Sequence, residues 1–181
     1  MTVLITPSAV VAFWKEAGPD TWYAKDEAFD RRFREAGRAL HWAAARRELD
    51  AWIETPEGAL ALMILLDQYP RNSFRSTGHQ FATDDLALMF ARDAVERGHP
   101  ETFAPDLRQF FYTPYEHSER IEDQDALLPL LGDDMAEVVK YAHIHRDIIV
   151  RFGRFPHRNR ALGRATTDEE QVFLDGGGFG G

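Results

Sequence analysis

Residues Gly58–Gln68 read GALALMILLDQ, the most continuously apolar segment of the chain. A helix built from it is apolar nearly all round, so it must be buried among other elements. Thr55–Pro56 directly before it supplies an N-cap residue and a proline at the first helical position. The sequence therefore predicts a central buried helix that ends in the polar segment Asp67–Asn72, with Pro70 as its stop.

Similar signals predict helices before and after this central segment. Thr6–Pro7 starts one that runs to about Gly18, and Asp26 to about Arg46 has the period of an amphipathic helix. Further predicted helices follow Thr83–Asp84, Pro105, Glu119 and Met135, and the last starts at Thr166 or Thr167 with a capping-box glutamate. We predict an all-α fold of seven to nine antiparallel helices, as a bundle or a helical-hairpin array. Residues 1–175 form a single helical domain in this prediction, and 176–181 form a Gly-rich flexible tail.

Composition narrows the function classes. The net charge of -9 and a pI near 5.2 argue against nucleic-acid partners and against anionic membrane surfaces. The chain has no cysteine, which excludes disulfides, thiolate metal sites and cysteine nucleophiles. Its first residues lack the features of a signal peptide, and no apolar run is long enough to span a membrane. We therefore expect a cytoplasmic protein, and the sequence leaves its oligomeric state open.

A basic island interrupts this acidic chain at residues 145–164, HRDIIVRFGRFPHRNRALGR. Between Arg146 and Arg164 there are six arginines and one aspartate. The first half, through Phe152, is predicted to be an apolar helix that breaks at Gly153. A local positive field of this kind suits a small anionic ligand or an acidic peptide segment.

The sequence also resembles a known family. Its blocks AFWKEAG, TWYAKDEAFD, ALALMILLDQYPRNSFRST, FATDDLAL, FFYTPYEHSE and HRDIIVRFGRFPHRNRALGRATTDEEQVFL together are similar to the bacterial family called domain of unknown function 924. The resemblance runs from about Val11 to Leu174 and implies an all-α, tetratricopeptide-like arrangement, with no established activity, substrate or cofactor. A repeating 34-residue pattern is absent, so the tetratricopeptide-like prediction rests on the resemblance. The polar residues that match the family pattern are Asp67, Gln68, Arg71, Asn72, His117, Ser118, Glu119, His145, Arg154, His157, Arg158 and Asn159.

His145 has two interpretations. It falls within the apolar arc of its predicted helix, where a histidine is either a core residue bonded to a carboxylate or a side chain that faces a pocket. Its natural partners are Asp67, Glu116 or Glu119. As acid/base candidates for catalysis we select His145, His117, Asp67 and Glu119.

The arginines also have two interpretations. Their guanidinium groups can grip a phosphate or carboxylate through paired hydrogen bonds, or they can pair with the chain's own carboxylates and cap helix ends. The ligand-binding candidates are Gln68, Arg71, Asn72, Arg151, Arg154, His157, Arg158 and Asn159. We expect no metal or cofactor, because His143 and His145 are two residues apart and point to different sides of a helix. Ser118 lacks a nucleophile motif and is predicted to cap the following helix.

Three functions are consistent with these patterns. The first is a binding module whose Arg/His/Asn cleft holds a small anionic ligand or an acidic peptide. The second is an enzyme that acts on a phosphorylated or carboxylated small molecule through a histidine–carboxylate pair, and the third is a purely structural scaffold. Each of the first two expects three segments to converge: Asp67–Asn72, His117–Glu119 and Gly153–Arg164.

Overall fold

The computed structural model describes residues 4–180, and over this range it consists of helices and turns without a strand. The predicted all-α class is confirmed. The α-helices are α1 (Pro7–Ala17), α2 (Pro19–Trp22), α3 (Glu27–Ala45), α4 (Pro56–Met63), α5 (Tyr69–Ser73), α6 (Asp84–Glu96), α7 (Pro105–Arg108), α8 (Thr113–Glu116), α9 (Ile121–Leu127), α10 (Ala136–Phe152) and α11 (Asp168–Asp175). Since α4 and α5 are joined without a break, the described chain has ten separate α-helices, slightly more than the seven to nine predicted. The tetratricopeptide-like arrangement stays a prediction.

The chain divides into two compact units. The first unit contains the chain through Arg75 together with His79–Pro114, and the second contains Ser76–Gly78 together with the chain from Tyr115 onward. The assignment of residues 1–175 to one domain stays a prediction.

The predicted helix starts are formed by the residues that the sequence indicated. Thr6 accepts a hydrogen bond from the Ala9 N–H at 3.2 Å, and Thr55 accepts one from the Gly58 N–H at 3.1 Å. At α11 the choice between Thr166 and Thr167 falls on Thr167, which forms a complete capping box with Glu170. Side chains therefore satisfy part of the exposed N–H groups at each of these helix starts.

The central helix does not stop at Pro70, which corrects the sequence prediction. Residues Ile64–Gln68 form a π-helical turn, and the helix then continues through α5. Proline has no backbone N–H, so Pro70 cannot donate the hydrogen bond that an interior helical residue normally gives to a preceding carbonyl. Side chains replace that donor: His41 Nδ1 lies 2.9 Å from the Leu65 oxygen, and the Thr83 hydroxyl donates to the Leu66 oxygen. The proline is tolerated because other segments supply the missing hydrogen bonds.

The Thr83 contact also modifies the predicted cap of α6. Thr83 holds the N-cap position, as expected, but its side chain makes no capping hydrogen bond and is used at Leu66.

The core of the first unit surrounds α4 and the aromatic residues of α1–α3. The side chains from Ala59 to Leu66 are fully buried, and α4 packs against α1 and α6. Trp14 stacks on Trp22 with ring centroids 6.0 Å apart, and both side chains are buried in this core. Gly37 is required where it lies, since a Cβ there would come within 2.9 Å of the Tyr69 ring.

A buried histidine pair belongs to the same unit. His41 is fully buried, its Nε2 lies 3.0 Å from His79 Nε2, and its ring stacks on Tyr69 at 4.7 Å. Since the Leu65 carbonyl only accepts, His41 Nδ1 carries the proton and His79 donates to His41 Nε2. Burial lowers the pKa of His41 to about 4, helped by the charge of His79 and opposed by the bond to Leu65.

In the second unit, α10 packs against α9 and ends at Gly153, whose φ of +68° is the left-handed conformation common after helices. The core of this unit contains Ile148, Ile149 and Phe155. Residues 176–180, part of the predicted flexible tail, place the Phe179 ring against this core. Gly181 lies outside the described residues. No helix among residues 4–180 is long and apolar enough to cross a membrane.

Candidate functional site

A histidine–carboxylate pair is the first element of the candidate site. Helix α10 points His145 inward, and Glu116 comes from the end of α8; both side chains are 7% exposed. His145 Nδ1 and Glu116 Oε2 are 3.2 Å apart, which is ion-pair distance without the alignment of a hydrogen bond. Among the three partners expected for His145, the structure selects Glu116. His143 on the same helix is exposed, as its spacing predicted.

Two further imidazoles lie beside this pair. The His117 ring centroid is 6.4 Å from that of His145. His157 enters from the 3-10 turn Pro156–Arg158, and its buried Nδ1 finds no hydrogen-bond partner among the residues that the structure describes. We call His117, His145 and His157 the histidine cluster.

Burial and local charge keep His157 neutral. Burial is the largest cause, followed by the charges of Arg158, His145 and His117, and together they lower the pKa of His157 to about 3. The charge of Glu119 opposes this shift. In a neutral imidazole one nitrogen carries the proton, and the other can accept a hydrogen bond from a donor that reaches it.

Aromatic rings form the apolar walls of the cluster. Phe155 lies 5.6 Å from both His145 and His157, measured between ring centroids. Phe179 lies 4.6 Å from His145 and 5.5 Å from His157, in edge-to-face orientation to both. The sequence prediction missed Phe179 because the surrounding glycines indicated a flexible tail. The available signal was a single aromatic residue among five glycines.

Arg154 is held by a carboxylate that the sequence prediction did not pair with it. Its Nε donates to Glu170 Oε1 at 2.6 Å and its Nη2 donates to Glu170 Oε2 at 2.8 Å. Asn159 Nδ2 donates to the same carboxylate at 3.2 Å. The bond from Arg154 is the main reason that the pKa of Glu170 falls to about 2. Glu170 therefore joins the capping box of α11 to the arginine loop.

Glu119 is engaged in the same way. Arg164 donates to both of its oxygens, at 2.6 and 3.0 Å, and the Phe155 N–H donates to Oε1 at 2.8 Å. Burial opposes ionisation of Glu119, but these bonds and the charge of Arg158 outweigh it and lower its pKa. Glu119 is thus a charged anchor for the loop, which makes it a weak candidate for proton transfer.

Two further arginines of the island, Arg151 and Arg158, differ in exposure. Arg158 is buried, with its guanidinium carbon 4.5 Å from the Phe155 ring centroid. Arg151 is half exposed; it bonds the exposed Glu169 at 3.0 Å and lies 4.6 Å over the Phe152 ring. Arg151 is thus more exposed than Arg154 and Arg164.

Ser118 makes a hydrogen bond at the start of α9, as predicted, but it is not the N-cap residue of that helix. Its hydroxyl accepts a hydrogen bond from the Arg120 N–H, two residues on, at 3.2 Å and donates to Asp123. Arg120 is the N-cap residue of α9, so the bond stabilises the entrance to that helix. The hydroxyl is thus used within this turn.

In the first unit, Asp67 is fully buried in a network of hydrogen bonds. Arg71 Nη1 lies 3.0 Å from its Oδ1, while Gln68 and Thr113 donate to its Oδ2 at 2.6 and 3.1 Å. Arg71 also makes a paired contact with Asp84 at 2.8 and 3.0 Å. Burial alone lowers the pKa of Arg71, but the charges of Asp67 and Asp84 raise it overall.

Asn72 belongs to a neighbouring network in the same unit. Its Nδ2 donates to the buried Asp30 at 2.9 Å, and Arg75 bonds the same carboxylate at 2.6 and 3.1 Å. Four of the residues predicted from the sequence as catalytic or ligand-binding, namely Asp67, Gln68, Arg71 and Asn72, therefore make structural contacts within the first unit.

The convergence of three segments can be assessed for two of them. The His117–Glu119 turn and the Gly153–Arg164 loop meet within the second unit through Glu119, Arg164 and Phe155. Asp67–Asn72 belongs to the first unit, and its participation stays a prediction. Within residues 4–180, no group of three or more His, Asp or Glu side chains has the arrangement of a metal site.

Comparison with known proteins gives the family. A solved protein of unknown function from Agrobacterium tumefaciens is similar over 94% of this chain and 97% of its own, with 51% identity and a TM-score of 0.88. A search of curated proteins gives no match. Residues 10–178 match the family described as bacterial protein of unknown function (DUF924). The resemblance in the sequence blocks is thereby confirmed, and the chain belongs to the DUF924 family.

Proposed function

We propose that the protein is an enzyme that acts on a small molecule at the histidine cluster, with His145 as the general acid/base and Glu116 as the carboxylate that orients it. The observation that supports this proposal is the His145–Glu116 pair beside His157, an imidazole whose buried Nδ1 has no hydrogen-bond partner among the described residues. A carboxylate next to an imidazole stabilises the imidazolium that forms when the ring takes a proton from a substrate.

The state of the arginines favours this proposal over an anion-binding cleft. Arg154 and Arg164 each make a paired contact with a carboxylate, and Arg158 is buried. A ligand phosphate would have to displace Glu170 or Glu119 to reach the first two. The histidine cluster has free hydrogen-bonding capacity at His157 instead.

Arg151 supports a second candidate, the binding module for a small anion. Its contact with Glu169 is between two exposed side chains, and such pairs contribute little. A phosphate or carboxylate group competes with Glu169 for Arg151 at small cost.

One experiment separates the candidates. The protein is incubated with a pool of phosphorylated and carboxylated metabolites, and depletion is followed by mass spectrometry beside a thermal-shift screen. The proposal predicts turnover by wild type and its loss in His145→Asn and Glu116→Gln, with His143→Gln as the exposed control on the same helix. Stabilisation without turnover, abolished in Arg151→Ala, supports the anion-binding module. If neither turnover nor stabilisation is observed, the purely structural scaffold is the remaining function.

A further inference from the structure

The C-terminal tail lies in the candidate site. Phe179 is bracketed by Gly176–Gly178 and Gly180, yet its ring contacts His145 and His157 edge to face and packs on the apolar core of the second unit. The backbone path that brings it there depends on glycine. Gly177 has φ +79°, and a Cβ on Gly178 would come within 2.6 Å of the Phe173 ring and carbonyl oxygen.

The fit of Phe179 is incomplete in one respect. A phenyl ring fills space and presents its edge or face to an imidazole, but it has no N–H or O–H donor. The ring centroid of His157 lies 5.5 Å from that of Phe179, and its Nδ1 has no hydrogen-bond partner among residues 4–180. A buried polar atom left in this state destabilises the protein relative to the bonded state.

We propose that the slot occupied by Phe179 is the ring subsite of the ligand, and that the ligand is a small heteroaromatic molecule whose ring carries an N–H or O–H donor for His157. The tail then acts as a self-ligand that leaves when the ligand enters. Such a ring keeps the edge-to-face contacts of Phe179 and adds the hydrogen bond that Phe179 lacks. This proposal rests on the proposed function for the location of the site, and it adds the class of ligand.

Glycine variants give a direct test, since they change the tail and leave the histidines intact. Gly178→Ala forces the tail away from Phe173, whereas a Cβ on Gly180 meets nothing within 4 Å and serves as the matched control. Phe179→Ala empties the slot by a second route. The probes are indole, which has a ring N–H, and 1-methylindole, which lacks it.

The expected result is that indole binds Gly178→Ala and Phe179→Ala about tenfold more tightly than wild type, as for a slot that the tail fills about nine-tenths of the time. Gly180→Ala should bind like wild type. Indole should bind about fivefold more tightly than 1-methylindole, the value of one hydrogen bond. Affinities are read from ring ¹⁵N shifts of His157 on titration.

Equal indole affinity for Gly178→Ala and Gly180→Ala, together with no gain in Phe179→Ala, would overturn the self-ligand. Equal affinity for indole and 1-methylindole would overturn the donor to His157. The outcome is separable from that of the proposed function. Indole binding at His157 in a protein that converts no metabolite refutes the acid–base proposal and keeps the subsite, whereas turnover that indole does not inhibit refutes the subsite alone.

Discussion

Asp67 is fully buried and His157 is half-buried; each lies beside an arginine, but their hydrogen bonding is opposite. Asp67 has a partner at each carboxylate oxygen: Arg71 on one, Gln68 and Thr113 on the other. His157 is held neutral by burial and by the charge of Arg158, with its buried Nδ1 unbonded within the described part of the chain. A satisfied network stabilises the fold, whereas an unsatisfied group costs stability unless a ligand completes it.

The largest effect is expected where the satisfied network is broken. Asp67→Ala leaves Arg71 with less of its compensating charge in a buried position, which should lower the free energy of unfolding by about 3–5 kcal/mol. For a chain of this size, that corresponds to a melting temperature lower by roughly 6–20 °C. Thermal and urea unfolding measure it. Arg46→Ala, which breaks an exposed ion pair with Glu48, is the control and should leave the transition unchanged.

Lowering the pH should destabilise the protein through His41 and His157. The folded-state pKa values of His41 and His157, about 4 and about 3, lie below the ordinary 6.5, so below pH 6.5 the unfolded chain binds more protons than the folded chain. The stability that each neutral histidine contributes is fully present above pH 6.5. It falls as the pH drops toward 4 for His41 and toward 3 for His157. At pH 5 each histidine should cost about 2 kcal/mol relative to pH 7.5.

Urea unfolding at pH 7.5 and pH 5.0 checks this. His157→Leu should reduce the loss between the two pH values by about 2 kcal/mol, while the exposed His143→Gln should keep the wild-type loss. An unchanged loss in His157→Leu would mean that His157 does not titrate as its surroundings require.

At neutral pH, removing the unsatisfied imidazole should do no harm. His157→Leu removes the unbonded nitrogen and keeps an apolar contact with Phe155, so we expect the free energy of unfolding to stay level or rise by about 1 kcal/mol. The corresponding change in the other network, Asp67→Leu, should destabilise the protein as strongly as Asp67→Ala. Comparable losses of unfolding free energy in His157→Leu and Asp67→Leu would remove the distinction between the Asp67 network and the histidine cluster.

The smallest effect is expected at the surface of the arginine island. Arg151→Ala breaks a pair whose side chains are 50% and 64% exposed, which should cost less than about 1 kcal/mol. A loss of several kcal/mol in urea unfolding would show that Arg151 is structural and would remove it as an anion-binding candidate.

The helices were predictable because their signals are local. Thr–Pro starts and the capping box of α11 act within one helical turn, so the sequence alone places them. The continuation through Pro70 was not predictable in this way. It depends on His41 and Thr83, which are 24 and 17 residues away from the carbonyls they bond.

The site was predictable in its residue types more than in its pairings. His145, Glu119 and the arginine loop were selected from the sequence, and the structure brings them into one unit. Glu170 as the partner of Arg154 and Phe179 as the wall of the cluster were missed. The fold brings Glu170 to Arg154 and Phe179 to the histidine cluster, and the spacing of these residues in the sequence does not predict either contact.

We propose that a ligand binds at the histidine cluster of the second unit and not at the His41–His79 pair of the first. Ring ¹⁵N NMR of all histidines, recorded as the metabolites that stabilise the protein are added, tests it most directly. We expect the resonances of His145 and His157 to shift while those of His41 and His79 stay in place. Shifts confined to His41 and His79, or to the exposed His143, would contradict it.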